Sequence, residues 1–114
     1  MAYEDTVADR FRQATEGLVG ISEVRMMGGL CFLVNGNMLG GVDRTKEGVD
    51  RLMFRVGKDN EAAAMDVDGA GPMEFTGRKM GGMVDVTDDL LADDARRGQV
   101  MALALDFVAP MRAK

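Results

Sequence analysis

The chain has 114 residues, 46% hydrophobic and 29% charged, and its 14 Lys+Arg against 19 Asp+Glu give a net charge of −5. It has no histidine and one cysteine, which excludes histidine acid–base catalysis, Ser-His and Cys-His dyads, zinc sites with two or more His or Cys ligands, and an internal disulfide. The scattered basic residues in an acidic chain disfavour direct nucleic-acid binding, because phosphate backbones attract clustered Lys and Arg. We expect one globular domain over residues 1–114.

The segments that target proteins to membranes are not recognisable in the sequence. Apolar runs such as Leu30 to Val34 are far shorter than the roughly 20 residues that cross a bilayer. Met1 to Thr6 carries acid where a signal peptide carries base. The single Cys31 suits a reducing compartment. We therefore expect a cytoplasmic protein that has no membrane partner.

The first predicted element is an N-terminal helix. Its apolar residues follow one another at steps of three and four, which is the helical period: Tyr3, Val7, Phe11, Ala14 and Leu18. Gly17 or Gly20 can end this helix in a left-handed conformation.

A β-hairpin over Leu30 to Leu39 is the strongest local signal. Asn35-Gly36 supplies the two positive φ angles of a type I′ turn between apolar runs. A two-residue turn predicts three opposed pairs, which are Val34 with Asn37, Leu33 with Met38, and Phe32 with Leu39. Phe32 and Leu39 would then share one face, while Cys31, Leu33 and Met38 share the other. Because both faces are apolar, we expect the second face to be covered by a helix or another subunit.

The second half of the chain predicts further short elements. A strand over Arg51 to Val56 places Leu52, Phe54 and Val56 on one side, with Arg51, Met53 and Arg55 on the other. The remaining elements are a short helix at Lys58 to Met65, a loop at Asp66 to Pro72, strands at Met73 to Thr76 and Met83 to Val86 around a Gly77 to Gly82 turn, a cap at Thr87 or Asp88, and a last helix through Val100, Leu103, Ala104, Phe107 and Val108 that stops before Pro110. Together they predict an α+β fold: an antiparallel β-sheet built from hairpins, with N-terminal and C-terminal helices and a short middle helix.

Residues that bear chemistry are few. The glycine-rich phosphate loops, nucleophile elbows and Cys-x-x-Cys pairs are missing, so we predict no catalytic residue, no metal ligand and no cofactor. Arg78 and Lys79 form a basic pair between glycines and are a candidate anion site, because backbone N–H groups beside two cations can hold an anion. The alternative is a hairpin turn whose two cations are solvated or pair with acids such as Glu74. Cys31 is better explained as buried filler than as a reactive thiol.

Methionine accounts for 11 of the residues, and several methionines flank the predicted sheet edges. Methionine is unbranched and polarisable, so it suits adaptable contact surfaces. Candidate interface residues are Met26, Met27, Leu33, Met38, Met80 and Met83. The alternative is that these side chains fill a core.

Several segments together carry a family resemblance: Val24-Arg25-Met26-Met27-Gly28-Gly29-Leu30, Phe32, Asn35-Gly36-Asn37-Met38, Arg55-Val56, Pro72-Met73 and Phe75-Thr76-Gly77-Arg78. With them the sequence resembles the TfoX (Sxy) N-terminal domain family from about Asp5 to Pro110. The resemblance implies an α+β domain that occurs in regulators of natural competence and also as a small stand-alone bacterial protein. It brings no catalytic residues. The full regulators add a C-terminal helical domain, for which the residues after Pro110 leave no room, so we expect a stand-alone single-domain member.

The leading hypothesis is a non-enzymatic regulatory or protein-interaction module that acts through protein contacts. Its partner would be a second copy of the chain, in a homodimer, or another protein such as a transcription regulator. The alternative is a small anionic-ligand-binding domain or an uncharacterised enzyme that uses Arg78 and Lys79.

Overall fold

A computed structural model describes residues 5–26, 29–44, 48–75 and 78–113. The helices are α1 (Asp5–Ala14), α2 (Glu61–Met65), α3 (Asp88–Ala92) and α4 (Asp94–Val108), with a 3₁₀ turn at Lys58–Asn60. The strands are β1 (Ile21–Met26), β2 (Gly29–Val34), β3 (Asn37–Arg44), β4 (Asp50–Arg55), β5 (Ala70–Phe75) and β6 (Arg78–Val86). They form one sheet in the order β1-β2-β3-β4-β6-β5, and every neighbouring pair is antiparallel. The predicted α+β class with an antiparallel sheet is confirmed.

The predicted β2–β3 hairpin is present, with one change of register. Asn35 and Gly36 have φ angles of 51° and 84°, and Val34 pairs with Asn37 as predicted. Phe32, however, pairs with Gly40 and not with Leu39, because a β-bulge shifts the register between Phe32 and Leu33. The predicted shared face of Phe32 and Leu39 is confirmed despite this shift, since both are fully buried in the core.

Three boundaries differ from the predictions. The helix α1 ends at Ala14, and the chain then turns through Gly17 and Gly20, both at positive φ, into the unpredicted strand β1. The strand β5 begins at Ala70, inside the predicted loop. The predicted Gly77 to Gly82 turn is wrong, because β6 already begins at Arg78. The glycines of β6 therefore lie within a strand, where Gly82 adopts a φ of 84°.

Side-chain caps set the starts of the last two helices. Thr87 Oγ1 accepts a hydrogen bond from the Leu90 N–H at 3.1 Å and caps α3, as predicted. The Asp93 carboxylate accepts from the N–H groups of Ala95 and Arg96, both at 3.0 Å, and caps α4. These contacts satisfy amide groups that have no partner inside the helix. Among the described residues, no helix is long and apolar enough to cross a membrane.

The helices pack on one face of the sheet. Residues of all four helices join the strands in one hydrophobic cluster, and the ring of Phe11 in α1 stacks on Phe32 at 4.5 Å and on Phe54 at 5.0 Å between ring centroids. A second cluster contains only strand residues. We call the side of the sheet that carries this second cluster the helix-free face, because no described helix residue belongs to the cluster.

Candidate functional site

The helix-free face carries four methionines from four strands, which we call the methionine cluster: Met38 of β3, Met53 of β4, Met73 of β5 and Met83 of β6. Strand alternation explains their position, because Leu52 and Phe54 point toward the helices and Met53 between them points away. Met53, Met73 and Met83 are 7%, 2% and 6% exposed, and Met38 is half-buried beside them. The cluster is therefore a small apolar centre made without helices.

An open pocket of about 830 Å³ lies on this face and is lined by the methionine cluster. Cys31, Gly41 and Met53 are register partners in three successive strands, and all three line the pocket. Gly41 has no side chain, and a Cβ at this position would stand 2.5 Å from the Leu30 carbonyl oxygen. At Gly41, therefore, no side chain projects from the sheet into the pocket. The volume falls within the range of about 300–1,000 Å³ that is typical of ligand pockets.

One end of the pocket is polar, and it is formed by the chain after β4 together with the end of α4. Its lining residues there are Arg55, Lys58, Asp59, Asn60, Asp106 and Phe107. The Asn60 amide nitrogen donates to the carbonyl oxygens of Val56 at 3.1 Å and Leu103 at 3.2 Å, and to the Asp106 carboxylate at 3.2 Å. These bonds tie the turn after β4 to α4 and so hold this end of the pocket in place.

Arg55 has an aromatic partner at the polar end. Its guanidinium carbon lies 5.2 Å from the centroid of the Phe107 ring, which is within the range of a cation–π contact. Phe107 in turn lies against the backbone of Gly57, where a Cβ would come 2.4 Å from the ring. Among the described side chains, neither Arg55 nor Lys58 forms a salt bridge.

Three charged side chains lie next to one another on β3, β4 and β6. The Arg51 guanidinium contacts the Asp43 carboxylate at 2.6 Å, and both side chains are largely buried. Burial raises the pKa of Asp85, with Asp43 adding to the rise and Arg51 opposing it. Burial also raises the pKa of Cys31, and the negative charge of Asp43 adds to that effect. The pocket thiol is therefore held in its protonated form, which disfavours a nucleophilic role.

The structure brings together two of the predicted interface residues, Met38 and Met83. Leu33 is half-buried and pairs with Met38 in the ladder, but it does not line the pocket. Met27 lies outside the described residues. Met26 in β1 and Met80 in β6 are described by their backbones only, and so are the predicted anion-binding residues Arg78 and Lys79 in β6.

Met53 and Met73 were not among the predicted interface residues. The side of the strand on which Met53 lies was predictable, because alternation placed it on the face away from Leu52 and Phe54. Their meeting with Met83 depends on β6 lying between β4 and β5 in the sheet. Among residues 5–26, 29–44, 48–75 and 78–113, no group of three or more His, Cys, Asp or Glu is placed to hold a metal ion.

The chain matches a known protein family. A family model described as the TfoX N-terminal domain matches residues 13–108, which include every residue of the pocket. No curated protein and no solved structure matches the chain.

Proposed function

Because the chain belongs to the TfoX N-terminal domain family, we propose that it is a non-enzymatic regulatory module that acts through protein contacts made by the helix-free face. The family is in general a regulatory and non-catalytic one. The observation that carries the proposal is the methionine cluster, in which four strands place flexible apolar side chains around an open pocket.

Methionine side chains favour recognition over rigid packing. They have three rotatable bonds and a polarisable sulfur, so they adapt to differently shaped partner groups. Met38 is half-buried at the border of the cluster, where a docked protein would cover it. The absence of histidine from the sequence and the raised pKa of Cys31 also favour a binding role over a catalytic one.

The occupant that we propose for this face is a second copy of the chain. The polar end of the pocket carries both signs of charge, with Arg55 and Lys58 beside Asp59 and Asp106. In a two-fold interface each surface patch meets its own copy, so a patch with both signs can pair cations of one copy with anions of the other. A homodimer would use this complementarity and cover Met38, the half-buried member of the cluster, at the same time.

Light scattering at tens of micromolar tests the proposal. We expect a mass of twice 12.3 kDa for the native chain and a mass near one chain for Met38→Lys, because a buried ammonium group without a partner opposes docking. Val19→Lys is the matched control, since Val19 is 91% exposed and does not line the pocket, and this variant should remain dimeric. A native mass of one chain would overturn the homodimer and leave a different protein, such as a transcription regulator, as the occupant to test.

A further inference from the structure

We propose that the pocket on the helix-free face binds a small monocarboxylic acid with an apolar body, whose carboxylate contacts Arg55 and whose body lies in the methionine cluster. The acid would occupy the same pocket that we propose for docking, so it would compete with a second copy of the chain for Arg55 and the methionine cluster. Titration measures the acid and light scattering measures the dimer, so the failure of one proposal is distinguishable from the failure of the other. The acid site also differs from an anion site at Arg78 and Lys79, because the cation lies at the end of an apolar pocket.

The apolar part of the ligand follows from the lining of the pocket. Away from the polar end, the lining residues that have side chains are apolar or weakly polar, except Asp43, whose carboxylate is paired with Arg51: Leu30, Cys31, Val42 and the methionine cluster. A sugar or a nucleotide would leave its hydroxyl and amide groups without partners there, which is costly in a desolvated site. A hydrocarbon chain or ring would gain contact area without that cost.

We infer the carboxylate of the ligand from the surroundings of the Arg55 side chain. Its side chain is half-buried, and its guanidinium lies 5.2 Å from the Phe107 ring centroid. It forms no salt bridge with any described carboxylate. A guanidinium in a cation–π contact still has N–H groups for hydrogen bonding, and a carboxylate can accept two of them at once. Lys58 at the same end adds a second positive charge.

We infer that the ligand carries a single negative charge because acidic side chains also lie at the polar end of the pocket. Asp59 and Asp106 also line the pocket near Arg55, and their negative charges oppose a dianion such as a phosphate monoester more strongly than a monoanion. Asp43, the remaining acid of the lining, is neutralised by Arg51 at 2.6 Å. An apolar monocarboxylate therefore matches both the charge and the surface of the pocket.

The test uses the full chain labelled with ¹³C at its methionine methyl groups and titrated with decanoate below its micelle concentration. We expect the methyl signals of Met38, Met53, Met73 and Met83 to shift together. The signal of Met101, which is 8% exposed in the helix-side core, should stay in place. Decan-1-ol has a similar apolar chain without the charge, and it should bind at least about tenfold more weakly than decanoate.

Arg55→Gln and Arg25→Gln form a matched pair, because each removes one positive charge and Arg25 is exposed on β1 outside the pocket. Arg55→Gln should weaken decanoate binding about tenfold or more and leave decanol binding unchanged, whereas Arg25→Gln should bind decanoate like the native chain. Equal loss in both variants, equal affinity of the native chain for decanoate and decanol, or shifts confined to methionines outside the cluster would each overturn the proposal. The comparison of the two ligands on the native chain decides the matter even if Arg55→Gln does not fold.

Discussion

The Phe11 ring lies over Gly40, where a Cβ would stand 3.0 Å from Phe11 Cζ. Gly40 pairs with Phe32 on one side and with Phe54 on the other, so the missing side chain leaves a gap between two rings. Phe11 fills that gap and stacks on both of them. The contact fixes α1 on the sheet.

Gly40→Ala should therefore lower the free energy of unfolding by about 1–3 kcal/mol, the usual cost of overpacking a core. The added methyl group would meet both Phe11 and the Met53 carbonyl oxygen, which is 2.3 Å from the Cβ position. Urea denaturation measures the change. Gly71→Ala in β5 is the control, because its Cβ would have nothing within 4 Å, and it should stay within about 0.5 kcal/mol of the native chain. Equal effects of the two substitutions would contradict the packing account.

Phe107→Leu should reduce the affinity for decanoate about two- to fivefold, because the cation–π contact that orders Arg55 is worth about 0.5–1 kcal/mol at a partly exposed site. Phe107→Tyr keeps the aromatic ring over which Arg55 lies, and it should bind decanoate nearly as well as the native chain. Calorimetric titration of the three proteins measures both effects. A Tyr variant as weak as the Leu variant would show that the ring does not act through Arg55.

Asp85→Asn should raise the free energy of unfolding at neutral pH. Burial raises the pKa of Asp85 in the folded chain above its ordinary value of 3.8, with Asp43 adding to the rise and Arg51 opposing it. The Asp85 carboxyl therefore binds its proton more tightly in the folded state than in the unfolded state. As the pH falls from the raised pKa toward the ordinary one, protonation of Asp85 increases the free energy of unfolding. Above that window the ionised carboxylate is unfavourable, and the neutral amide removes the penalty.

The difference between Asp85→Asn and the native chain should shrink as the pH falls and vanish below the ordinary pKa of aspartate, where both side chains are neutral. Denaturation curves from neutral to acid pH measure this trend. Glu16→Gln, at an exposed carboxylate, is a control for the loss of one negative charge. A stability difference that stays constant with pH would argue against burial of the charge as its cause.

Cys31 should react slowly with iodoacetamide at neutral pH. Burial and the nearby charge of Asp43 raise the pKa of the thiol, and alkylation requires the thiolate. The reference rate is that of the same chain unfolded in urea, and mass spectrometry follows both reactions. Because Cys31 lines the pocket, decanoate should slow the reaction of the folded chain further. A folded chain that reacts as fast as the unfolded one would refute the protected environment.

Local structure was more predictable from the sequence than the boundaries of the elements. The Asn35-Gly36 turn was predictable because few residue pairs adopt two positive φ angles easily, and the structure has them. The strand β1 was not predictable, because its helix-facing side carries the charged Glu23 as well as the apolar Ile21. Glu23 lies there and binds Arg12 at 2.8 Å, so the usual alternation of apolar and polar residues is missing.

The amino-acid sequence by itself determined the α+β class, the β2–β3 hairpin with its two apolar faces, and the helical spacing of apolar residues around Phe11, because each depends on residues close together in the chain. Only the tertiary structure decided that Met53, Met73 and Met83 meet, since β6 lies between β4 and β5. It also decided that Arg55 lies over Phe107, 52 positions later in the numbering. Contacts of this kind depend on strand order and helix docking, and these are set by the burial of apolar area over the whole chain. No short segment of the sequence therefore predicts them.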